Sequence, residues 1–211
     1  MKVKQLFKVL SVSVLSAILL AACGGETEVS TKEKNNDTTK QEQSSEKPQE
    51  KKTESKVGTR SNPVKFTEIA SIDTFSFDND AKKYKTKIEL SVVEVTRGAD
   101  AQQKLKQMNE FNADAPDGYE WVLVKGKVKV VESETEDYPF QIDNIMNFNF
   151  VSQSGDVYSG DIVGTTEPAF SFEMYNGNEK EGYIAGLIKA GEDAQMKYNS
   201  MVSSEVFFNL K

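Results

Sequence analysis

The chain has 211 residues, with 26 lysines and arginines against 33 aspartates and glutamates, a net charge of −7, one cysteine and no histidine. Without histidine there is no Ser–His or Cys–His nucleophile, no imidazole base and no histidine-ligated zinc or copper. The acidic balance also disfavours nucleic acid as a partner, because phosphate binding needs clustered cations.

At the N-terminus, Lys2, Lys4 and Lys8 precede an uncharged apolar run from Val9 to Leu20. As a helix, about 12 residues would span roughly 18 Å, short of the roughly 30 Å of a bilayer core. The run instead has the length of a secretory h-region, with small residues at a cleavage point behind it. Leu20-Ala21-Ala22-Cys23 resembles the lipobox of bacterial lipoprotein signals. That resemblance implies removal of residues 1–22 and a diacylglyceryl group on Cys23. The partner it implies is the lipid bilayer, on the extracellular face of the cell membrane. Two acyl chains hold a protein stably where one binds only marginally. The bland alternative is a plain secretory signal beside an incidental cysteine. As the only cysteine in the chain, Cys23 has no disulfide partner within it, although an exported protein would be permitted one.

Residues 23–62 carry eight basic and eight acidic side chains and almost nothing apolar beyond Val29 and Val57. Such a segment buries too little apolar surface to offset its ordering entropy and is expected to be disordered. About 38 residues of flexible coil have an r.m.s. span of roughly 35 Å, so the expectation is a long tether between membrane and domain.

Residues 63–211 have the size of one domain, with fifteen basic against twenty-five acidic residues from Ser61 onward. Period-2 alternation dominates. Tyr84, Ile88, Leu90 and Val92 form one apolar face. Val122, Val124, Val128 and Val130 form another, with Gly126 expected at a bulge. Ile142, Met146, Phe148 and Phe150 follow, then Phe170, Phe172 and Met174, then Val206, Phe208 and Leu210. Turn signals at Ser154-Gly155-Asp156, Asn176-Gly177-Asn178 and Ala190-Gly191-Glu192 separate the later runs. One segment differs. Ala101, Leu105, Met108 and Phe111 recur at helical spacing, behind an expected capping box of Asp100 and Gln103 and before Asn112 and Pro116. The expected fold is all-β: an antiparallel β-sandwich with one short crossover helix, preceded by a signal peptide and a disordered linker.

Arg97-Gly98-Ala99-Asp100-Ala101, Asn109-Glu110-Phe111-Asn112, Pro116-Asp117-Gly118-Tyr119-Glu120-Trp121 and Glu181-Gly182-Tyr183-Ile184-Ala185-Gly186-Leu187-Ile188 together resemble the telokin-like, immunoglobulin-fold extracellular domains of Gram-positive bacterial lipoproteins. The resemblance implies an immunoglobulin-like sandwich and an exported protein, and it carries over no catalytic residue. Members of that family are mostly of unknown function. This chain has no inter-sheet cysteine pair, so packing alone would hold its sheets together.

The remaining chemistry is carboxylate chemistry. Asp78-Asn79-Asp80 opens like a calcium loop but continues with Lys82 and Lys83 where a ligand and the required glycine belong. Glu132, Glu134, Glu136 and Asp137 read as a solvated hairpin tip before they read as an ion site. The pairs Phe75/Phe77, Phe148/Phe150 and Phe170/Phe172 read as core before they read as a ligand groove, and Phe75/Phe77 are the least determined. No catalytic, metal or cofactor-binding residue is assigned. The expected function is a non-catalytic binding or interaction module on a lipid anchor, with a surface protein or cell-wall component as ligand. The alternatives are a carboxylate-based glycan hydrolase and a passive envelope or antigenic protein.

Overall fold

The computed structural model describes residues 29–34, 56–158, 164–200 and 205–211. Cys23 and the signal segment 1–22 lie outside them. Among the described residues there are eleven strands and one helix. They form an antiparallel all-β sandwich with no closed barrel, as the alternation predicts. No described helix is long and apolar enough to cross a membrane.

The larger sheet runs in the order β1 (Val29–Glu33), β2 (Glu68–Phe77), β3 (Lys83–Arg97), β4 (Tyr119–Ser133), β9 (Glu179–Lys189). The facing sheet is β11 (Glu205–Asn209), β10 (Ala194–Asn199), β6 (Phe148–Ser152), β7 (Val157–Tyr158). A short ribbon of β5 (Phe140–Ile142) and β8 (Phe172–Met174) completes the set. Ile72, Ile88, Leu90, Val122, Val124, Val128, Val130 and Ile184 point inward from the first sheet. They share a core with Phe148, Phe150, Met196, Tyr198, Val206 and Phe208 of the second. The sheets approach closely at glycines. A Cβ on Gly186 would stand 2.3 Å from the Phe150 ring, and one on Gly126 would stand 2.8 Å from the Phe170 ring.

Helix α1 (Gly98–Met108) covers the outer face of the larger sheet. There Ala101 and Leu105 pack on Trp121 and Leu123 in a second, separate cluster. The first half of β4 is therefore buried on both faces, and the domain has three layers at that end. Arg97 Nη2 lies 2.5 Å from Glu120 Oε1 and also donates to the Glu192 carbonyl at 2.6 Å. This pins the helix start to β4 and to the β9–β10 turn.

Several expectations are corrected. Val29–Glu33, within the segment expected to be disordered, is a strand on the open edge of β2, with Val29 opposite Ile72 and Glu33 opposite Glu68. Val29 and Val57, the two apolar residues of that stretch, both pack against the main core. A segment-wide composition argument averages such residues away, whereas an exposed strand edge offers hydrogen bonds to any short β-branched run beside it. The helix starts two residues before Asp100, from Arg97 in extended geometry with no side-chain cap, so the expected capping box is absent and Asp100 lies inside the first turn. Phe111 lies beyond the helix end and is 86% exposed. The register shift near Gly126 makes Val93 of β3 the extra residue, and Gly126 itself faces Val92. Ile142 and Phe148 belong to two strands. The chain turns between them, and Met146 is exposed rather than inward.

Candidate functional site: a hydroxyl-floored cleft

The inward positions of β2 run Ala70, Ile72, Thr74, Ser76, all buried. The alternation that begins as apolar core thus ends in hydroxyls, and Phe75 and Phe77 fall on the outward phase, with Phe77 39% exposed. Thr86, opposite Thr74 on β3, is buried as well. Ser76 Oγ and Thr86 Oγ1 lie 2.9 Å apart. Across from them stands Tyr198 of β10, 1% exposed. Burial holds its phenol well above the ordinary tyrosine range, against the opposing effect of a hydrogen bond with Thr74. Tyr198 is therefore a neutral hydroxyl at any physiological pH.

Thr74, Ser76 and Tyr198 form the floor of a cleft of about 440 Å³ between the ends of the two sheets, walled by Phe140, Ile142 and Phe172. Phe77 and Met146 stand at the rim, and Ile145 beside Met146 is 58% exposed. The volume falls within the range of small-molecule sites, which combine apolar walls with a few placed polar groups.

One carboxylate organises the rim. Asp143 Oδ1 accepts the amides of Ile145 and Met146 at 2.8 and 3.0 Å, and Oδ2 accepts the Ser171 hydroxyl at 2.8 Å. Burial pushes this carboxyl up, but the bonds from Ser171, Met146 and Ile145 outweigh it, so its pKa lies below the ordinary aspartate value. The same residue sets the turn that presents Ile145 and Met146 outward. Asn147, between exposed Met146 and core Phe148, is buried. It accepts the Asp143 amide at 2.8 Å and donates to the Asn199 carbonyl at 2.9 Å.

The other sequence candidates do not converge on a site. Asp78 takes the amides of Asp80 and Lys82 at 2.9 Å within the β2–β3 turn. The Lys82 amide is the main reason that its carboxyl is held low. Glu132 and Glu134 stand near Lys87 and Lys85 at 3.9 and 4.0 Å, and no group of three potential metal ligands gathers among the described residues. Phe148, Phe150 and Phe170 are core, with Phe170 edge-on to Phe148 at 5.4 Å. A second depression, at the opposite end of the smaller sheet, is lined by polar groups that pair among themselves. Arg60 donates to the Gln153 carbonyl at 2.7 Å, and Lys211 lies 2.5 Å from Asp193.

Sequence reading did not single out Thr74, Ser76, Thr86, Tyr198 or Asp143. A usable signal was present. The phase set by Ala70 and Ile72 carries Thr74 and Ser76 inward, which forces the two phenylalanines out.

No protein-family model matches the chain, and no curated protein matches it. Among solved structures it is similar to a protein of Bacillus subtilis subsp. subtilis str. 168 described as a "putative lipoprotein (ycdA)". That likeness has 12% identity and a TM-score of 0.40 over 65% of this chain and 37% of that one. The chain thus spans a little over a third of that protein's length. A likeness of this size says nothing about function, and the telokin-like resemblance rests on the residues quoted for it.

Proposed function

We propose that this is an extracellular lipoprotein, anchored to the cell membrane through acylated Cys23, whose β-sandwich is a non-catalytic binding module using the cleft beside Asp143. The observation that carries the binding reading is the hydroxyl floor of Thr74, Ser76 and Tyr198 beneath an exposed apolar rim. That combination suits an amphipathic small molecule or a short peptide segment, neutral or cationic, since Asp143 is ionised and the domain is acidic. An immunoglobulin-like kinship is part of the same proposal.

A hydrolase of the glycosidase type needs one carboxylic acid with a raised pKa to protonate the leaving group. The carboxyls of Asp78, Glu94, Asp143, Glu181 and Asp193 are all held low, which favours binding over that chemistry.

The anchor is tested by mass spectrometry of mature protein from membranes. A diacylglyceryl-modified Cys23 at the N-terminus is expected, and an intact Met1 or an unmodified thiol removes the anchor from the proposal. The cleft is tested by equilibrium binding of cell-wall and surface fractions to the wild type and to Met146→Trp, whose larger side chain closes the rim. Binding reduced by the substitution is expected. Equal binding, or none by either protein, overturns the cleft as a ligand site and leaves the passive envelope reading.

A further inference from the structure

We infer that the cleft end of the sandwich faces the bilayer, with Phe77, Ile145 and Met146 seated among the lipid headgroups, so that the cleft opens to ligands at the membrane surface. The inference rests on the proposed acylation of Cys23 and adds an orientation that the chain's reach allows and the exposed side chains of one end select. From Cys23 to Val29, the first residue of β1, there are six residue steps. Even fully extended these reach only about 20 Å, at 3.3–3.6 Å each. The domain is therefore held against the membrane. The charged stretch after β1 is a connection between two parts of the fold, with Lys34 and Lys56 described on either side of it.

Direction follows from register. Val29 pairs with Ile72 and Glu33 with Glu68, so β1 runs away from the Phe77 end of β2 and the chain enters it from the cleft side. Phe77 is five residues beyond Ile72, about 17 Å at the strand rise of 3.4 Å, which lies within reach of the anchor. The helical end is not. Ile72 pairs with Ile88, and β3 continues nine residues from there to Arg97, about 30 Å away at the same rise.

The end that the anchor reaches also carries side chains suited to the interface. Phe77, Ile145 and Met146 are 39%, 58% and 61% exposed. Lys82 and Lys83 are exposed beside them, their ammonium groups over the Tyr84 and Phe75 rings at 4.8 and 5.3 Å. Aromatic and aliphatic tips with lysines that extend past them match the headgroup boundary, where stems lie in the apolar zone and charges in water. The contact is apolar rather than electrostatic, because Asp78, Asp80, Glu132 and Glu134 stand at this same end beside the lysines.

The test uses the full mature lipoprotein reconstituted in phosphatidylcholine liposomes, with or without phosphatidylglycerol. Because acylation consumes the Cys23 sulfur, an introduced cysteine carries the only reactive thiol. Ile145→Cys and Met146→Cys replace exposed side chains, and Asp117→Cys places a control at the helical end. Each is labelled with an environment-sensitive fluorophore. Quenching by lipid-attached nitroxide several-fold stronger at 145 and 146 than at 117 is expected in both liposome types. Equal quenching at all three positions, in protein that floats with the liposomes, overturns this orientation while leaving the anchor intact. Protein that does not float overturns the anchor itself, and the orientation with it.

Discussion

The two ends of this sandwich are built from the same strands and differ in what fills them. At the helical end, Trp121 and Leu123 on one face of β4 and Val122 and Val124 on the other are all buried. The Arg97–Glu120 pair and the Trp121 indole, which donates to the Ala113 carbonyl at 3.1 Å, bind strand, helix and turn together. At the cleft end the inward positions of β2 and β3 become Thr74, Ser76 and Thr86, and Phe75 and Phe77 point outward. A continuous apolar stripe closes the space between layers. Short hydroxyl side chains leave it open. One end is filled by apolar side chains, and the other is left with a cleft.

This contrast can be broken at either end. The largest effect is expected from Trp121→Ala, which removes a wholly buried side chain from the smaller cluster and should cost about 3–5 kcal/mol. Urea denaturation measures it, and a loss below about 1 kcal/mol would mean that the helical layer contributes little. At the cleft end, Asp143 contributes through its charged form. Its folded pKa is depressed, so its stabilisation is fully present above the unfolded value near 4 and is lost as pH falls through the depressed folded value. Asp143→Asn should cost on the order of 1 kcal/mol at neutral pH and flatten the acid limb of the stability profile, read from thermal melts across that range. The smallest effect on stability is expected from the double substitution Ser76→Ala with Thr86→Val. It removes both partners of a buried hydrogen bond and should change stability by less than about 1 kcal/mol. Ligand binding should nevertheless weaken, because the floor loses the Ser76 hydroxyl. A large destabilisation would instead make those hydroxyls part of the scaffold.

Much of the fold was legible because half-buried antiparallel strands write their faces at period 2. Val122 to Val130, Phe148 and Phe150, and Val206 to Leu210 all declare their inner side this way. The glycine turns at 155, 177 and 191, each with positive φ, were equally readable. The cleft was not, for a specific reason. In Thr74-Phe75-Ser76-Phe77 the hydrophobic content points to one phase and the strand's own continuity from Ile72 to the other. Geometry decides between them, because a strand cannot flip its faces without a bulge, and β2 pairs with β3 without a register shift from Ala70 to Phe77. Asp143 and Tyr198 were invisible for another reason. They meet the cleft only once the β5–β6 turn and β10 fold over it, and no local pattern encodes that approach.

By itself, the sequence determined an uncharged apolar run ahead of a lone cysteine, an acidic domain of alternating strands, and the absence of histidine and cysteine from that domain. These are properties of composition and short-range periodicity, and they survive without knowing which strands are neighbours. Only the tertiary structure decided that Val29–Glu33 belongs to the sheet, that the helix lies on its outer face, and that hydroxyls line one end. Each of those depends on pairing between segments far apart in the chain. A strand edge, a second buried face and a gap between layers come into being only when such segments meet.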